Sequence, residues 1–170
     1  MQVFSAVVMV LGLMACGPSN TQIKTAKATE YKLPATSMLD VALQVAQIDY
    51  KISPAGMAPD ALKFTTDPQW YTPEGGRISP TEDANGEWVN AGGGSVNVRL
   101  VVQVRPITDD TVAVEVGALT MQLVGAPNDP SPKPRELALD DPFLPPWIRG
   151  RVDALAYAIW EHTKQYAVVR

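Results

Sequence analysis

At 170 residues and a formal net charge of −4, the chain is long enough for one self-sufficient domain and has no general attraction for phosphate backbones. Its 14 basic residues are scattered and form no stripe, so nucleic acid is excluded as an expected partner. A single cysteine excludes an internal disulfide, and the lone His162 excludes a multi-histidine metal site, so neither metal nor cofactor is expected.

From Val3 to Ala15 every residue is apolar or small and none is ionisable. Crossing a bilayer as a helix takes about 20 apolar residues, and Gly17-Pro18-Ser19-Asn20 ends the run well short of that, so it reads as the apolar region of a signal peptide. Its last residues, Leu13-Met14-Ala15-Cys16, resemble the bacterial lipobox: an aliphatic residue three before the cysteine, a small residue just before it, then the cysteine itself. The resemblance implies cleavage between Ala15 and Cys16 and acylation of the Cys16 thiol, which makes the membrane a partner through that lipid. Gly17 stands where an Asp tends to retain such proteins in the inner membrane, so the implied address is the outer membrane, facing the periplasm. The expected organisation is a leader over 1–15, the lipidated cysteine and a flexible tether over 16–28, and a single domain over 29–170. Small and polar composition carries the tether assignment.

Within the domain, Thr29 to Leu33 alternates like a short strand, and Pro34 closes it before a helix expected to run to about Tyr50. Ser37 followed by Asp40 has capping-box spacing, and Leu39, Val41, Leu43, Val45, Ala46 and Ile48 supply the apolar face. Short strands are expected at Lys51 to Ser53 and Ala61 to Thr66. From Asp67 to Gly94 periodicity gives way to Pro and Gly, which predicts one long excursion or a loose hairpin. Val96, Val98, Leu100, Val102 and Val104 give the clearest period of two, a half-buried strand. After a turn over Pro106 to Asp110 the pattern resumes at Val112, Val114 and Val116. It then shifts by one to Leu119, Met121 and Leu123, which predicts a β-bulge near Gly117-Ala118. The Pro- and Asp-rich span from Ala126 to Pro146 is expected to cross the surface. Pro145-Pro146 opens a long amphipathic helix with Ile148, Val152, Leu155, Ile159, Thr163 and Tyr166 on one stripe.

This order predicts an α+β two-layer sandwich, an antiparallel sheet covered on one face by two helices. The lipobox, the strand-helix opening from Tyr31 to Ile48, the strand Leu62 to Thr66 followed by Trp70, and the closing helix together resemble small periplasmic lipoproteins of the helix-grip, BamC type.

No catalytic motif stands out. Asp129, Glu136 and Asp140-Asp141 match no calcium loop, Asp109-Asp110 falls in a turn, and Glu161-His162 lacks a second histidine. The candidate binding residues are the aromatics of the Pro/Gly-rich excursion, Trp70, Tyr71 and Trp88, because large amphipathic rings anchor partners. The expected function is therefore a lipid-anchored, non-enzymatic domain that binds a protein or other envelope component. A periplasmic hydrolase is the alternative, to be favoured by a pocket lined with convergent ionisable groups.

Overall fold

The computed structural model describes residues 17–82, 88–89, 91–125 and 133–168; Ala15 and Cys16 lie outside them. Helices α1 (Asn20–Ala28), α2 (Ala35–Ala46) and α3 (Pro146–Thr163) accompany strands β1 (Glu30–Tyr31), β2 (Met57–Ala58), β3 (Lys63–Thr65), β4 (Gln69–Tyr71) and β5 (Arg77–Ile78). These are followed by β6 (Thr81–Glu82), β7 (Trp88–Val89), β8 (Val96–Pro106), β9 (Val112–Val124) and β10 (Lys133–Leu137). Strands β8 and β9 form the central hairpin of an antiparallel sheet. β3 and β4 share the outer side of β8, β1 and β10 share the outer side of β9, and β2 and β5 extend the β3 and β4 sides. Strands β6 and β7 pair with each other. The fold is thus α+β, with helices packed on the sheet.

Strand β8 sets the core. Val96, Val98, Leu100, Val102 and Val104 are each at most 4% exposed, and burying such a side chain stabilises the fold by about 1.5–3 kcal/mol relative to leaving it in water. A one-residue slip would drive Arg99, Gln103 and Arg105 into that core, so the register is tightly specified. Helices α2 and α3 cover this face with Met38, Leu39, Ala42, Val45, Ile148, Val152, Leu155 and Ile159. Five of the six stripe residues expected on α3 are buried; Tyr166 lies past the helix end and is 40% exposed.

Several local expectations are corrected. Residues 20–28, expected as tether, form α1: Ser19 Oγ accepts from Gln22 N–H while Gln22 Oε1 accepts from Ser19 N–H, a complete capping box. Ala26 is buried against α3. The Ser37-Asp40 box does not form, because α2 begins at Ala35 directly after Pro34 and places Ser37 inside the helix. That helix ends at Ala46, leaving Ile48 70% exposed. Lys51 to Ser53 makes no strand; Asp67 Oδ1 instead accepts from Ser53 N–H, and Lys51 C=O accepts from Asp67 N–H. Of the two readings of the stretch after Asp67 the hairpin holds, as β4 pairs with β5, whereas the span after Ala126, expected only to cross the surface, contains β10, which pairs with β9 through five residues. No bulge occurs at Gly117-Ala118, because β8 and β9 stay in one-to-one register from Val96↔Gln122 to Pro106↔Val112.

Candidate functional site: the face of the sheet away from the helices

Unbroken register has a chemical consequence. With the even-numbered residues of β8 and β9 turned to the helices, the odd-numbered ones occupy the other face, Leu119, Met121 and Leu123 among them, of which Leu123 is fully buried. Leu119 is 59% and Met121 38% exposed. Across the ladders Leu119 lies opposite Arg99, while Met121 lies between Asn97 on β8 and Glu136 on β10. These five residues, with Ala118, Thr120, Leu137 and Ala138, line a groove of about 600 Å³.

Its floor is rigid. Thr120, buried on the helix side, donates its hydroxyl to the Leu137 carbonyl and so clasps β10 to β9. The outer edge of β10 carries Lys133, Pro134, Arg135 and Glu136, a proline and three charges that discourage addition of a further strand. Chemically the groove offers two apolar contacts flanked by a guanidinium, an amide and a carboxylate, the mixture of buried anchor and polar rim that protein interfaces use.

The aromatic candidates separate. Trp70 pairs with Asn97 and Ile78, which puts it on the groove side of the sheet, half-buried and next to the groove's Asn97 wall. Tyr71 points the opposite way and is 2% exposed, so it belongs to the core and cannot anchor a partner. Its ring lies 5.0 Å from that of Trp147, and the Arg151 guanidinium sits 4.5 Å above it. Trp147 Nε1–H donates to the Pro73 carbonyl at 2.8 Å, tying the β4–β5 turn to α3. Burial raises the Tyr50 pKa, and a hydrogen bond from Arg151 partly offsets it, so this cluster reads as a structural seam. Trp88 lies in β7 opposite Glu82.

The ionisable residues weighed from sequence have local duties. Asp141 accepts from Phe143 N–H at 2.8 Å and lies 3.8 Å from Arg135, and Asp129 falls outside the described residues. Hydrogen bonds from Thr108 and Thr111 lower the Asp110 pKa at the tip of the β8–β9 turn. Glu161 accepts from Lys164 and from Tyr157, which lowers its pKa and raises theirs. His162 Nδ1 lies 2.9 Å from the Ala158 carbonyl. Among the described residues no three His, Cys, Asp or Glu gather as a metal site would require, and no helix is long and apolar enough to cross a membrane.

Sequence reasoning missed Asn97, Arg99, Leu119, Met121 and Glu136 as a group. The available signal was the phase shift after Gly117, which puts large apolar residues on the polar face of an otherwise regular strand. No protein-family model matches the chain, and no curated protein is significantly similar to it.

Proposed function

We propose that this chain is a lipid-anchored envelope protein, held in the outer membrane by an acylated Cys16 and facing the periplasm, whose domain binds another envelope protein without catalysing a reaction. The observation that supports binding is the groove: Leu119 and Met121 are exposed on an ordered strand, framed by Arg99, Asn97 and Glu136. Exposed apolar side chains on a sheet face contribute little to the core, and a rim of polar groups beside them gives direction to a contact. The lipobox supports the address.

Two measurements test the two halves. Cys16→Ser should abolish incorporation of a fatty-acid analogue and leave an uncleaved precursor; undiminished labelling refutes the anchor. A photo-crosslinking residue at position 119 in cells should give a discrete adduct that Arg99→Glu diminishes, whereas the same residue at exposed Gln44 on α2 should give none. Equal adducts from positions 119 and 44 refute the groove as the binding surface.

A further inference from the structure

The expected flexible tether does not exist as such, and this changes how the domain must sit. Only Gly17, Pro18 and Ser19 separate Cys16 from α1, and the capping box already fixes Ser19. Three residue steps span at most about 11 Å, and Pro18 stiffens them further. One helical turn later, Gln22 Nε2 lies 3.5 Å from the Tyr157 hydroxyl on α3. Helix α1 is held there by buried Ala26 and by the Lys27–Asp153 ion pair. On the anchor reading proposed above, Gln22 and the flank of α3 beside it lie within roughly 15 Å of the lipidated sulfur.

That flank has the composition of a surface made for the headgroup region. The Tyr157 ring tilts against Trp160 at 5.6 Å, and Lys164 lies 5.5 Å over the Trp160 ring. Lys24 is exposed on α1, and Tyr166 is exposed just past α3. Trp and Tyr settle at membrane interfaces because one end is apolar and the other wet, and Lys extends its ammonium toward lipid phosphates. Lys24 and Lys164 stand with Glu30 and Glu161 here, so this flank is formally neutral although the chain as a whole carries −4, and an anionic leaflet repels it little.

We propose that the α1–α3 flank bearing Lys24, Tyr157, Trp160, Lys164 and Tyr166 rests on the headgroups of the leaflet that holds the Cys16 lipid. The domain is then docked on the membrane, with the sheet face that carries Leu119 and Met121 turned outward to its partner.

The test uses the full-length lipidated protein in phospholipid vesicles containing a headgroup-labelled acceptor lipid. The acylated Cys16 sulfur is blocked, so a cysteine introduced at exposed Gln165 or Gln103 is the only free thiol to carry a donor dye. Energy transfer from Gln165→Cys, beside the flank, should exceed that from Gln103→Cys, on the opposite face of the sheet, by several-fold. Inserting 20 Gly/Ser residues after Gly17 should preserve the difference, whereas the same insertion combined with Trp160→Ala and Lys24→Glu should abolish it. Circular dichroism and thermal melts confirm that each variant folds. If the protein incorporates fatty acid and floats with the vesicles yet both positions transfer equally, the docked orientation is wrong and the anchor stands. If no fatty acid is incorporated, the anchor fails and the orientation falls with it.

Discussion

A chain beginning at Thr29 should fold but be measurably weaker than one beginning at Gly17. Removing α1 withdraws the Ala26 methyl, worth about 0.8 kcal/mol, and half-buried Ile23, worth about 1 kcal/mol, and re-exposes part of the α3 flank around Tyr157 and Trp160. The Lys27–Asp153 pair is 48% and 28% exposed at its two side chains, so solvent screening leaves it about 0–1 kcal/mol. Against these gains stands the entropy of ordering nine residues that form no stable helix alone. The net loss should be about 1–3 kcal/mol, or about 3–10 °C in Tm for a domain of this size. Urea melts of both forms measure it, with the midpoint shifting and the slope changing little. A point variant adds a ceiling. Ala26→Arg cannot be housed at a site 5% exposed, yet it should cost no more than deleting α1, because the helix can simply undock. Coincident melts of the two forms would show that α1 is not packed on α3, and a loss from Ala26→Arg well beyond the deletion would show that α1 is not a separable element.

Three further outcomes are expected. Leu155→Ala should cost about 2–5 kcal/mol in a urea melt, because Leu155 is 4% exposed between Val152 and Ile159 under the sheet; a loss below about 1 kcal/mol would contradict its core position. Gly75→Ala should cost about 1–3 kcal/mol by thermal melt, since φ is +91° there and an added Cβ would stand 3.2 Å from the Trp147 ring. Hydrogen bonds from Ser53 lower the Asp67 pKa below its ordinary 3.8, so its charged form stabilises the fold above that pH and the contribution is lost as pH falls through the lowered value. The Tm difference between wild type and Asp67→Asn should therefore be constant from pH 7 to about 5 and shrink below 3.8; a difference that grows on acidification would reverse the assigned sign.

The elements legible in the sequence are those whose burial pattern is their own. The alternation of β8 and the stripe of α3 survive into the structure because each presents a continuous apolar row to the same core. Strand β10 is illegible for the opposite reason: Lys133-Pro134-Arg135-Glu136-Leu137 has one buried side chain, and its extended form comes from pairing with β9. The mean polarity of α1 hides it too. Its only strong local signal is the Ser19–Gln22 capping box, which the linker-like composition around it outweighs. Tyr71 was misplaced because it follows Trp70 in sequence, whereas in a strand neighbouring residues face opposite ways.

The groove arises where the sequence predicts a β-bulge, and the reason lies in the phase of the strand. A shift of apolar phase within a strand has two physical explanations: an extra residue that rotates the pattern back toward the core, or an unrotated strand that sends apolar side chains to the other face. Sequence favours the first, because it keeps every large apolar residue buried. The continuous β8–β9 register selects the second. Leu119 then stands in water at 59% exposure on a strand whose helix-side neighbours Ala118 and Thr120 are small or polar. Leu123, in the same shifted phase, is fully buried, but the core gains little from Leu119, and exchanging Leu119 for a polar residue should leave stability within about 0.5 kcal/mol. A side chain that breaks the local pattern without benefit to the fold is best explained by a contact outside it. The same departure from pattern that defeats prediction of the strand thus creates the exposed apolar surface on which the proposed binding role rests.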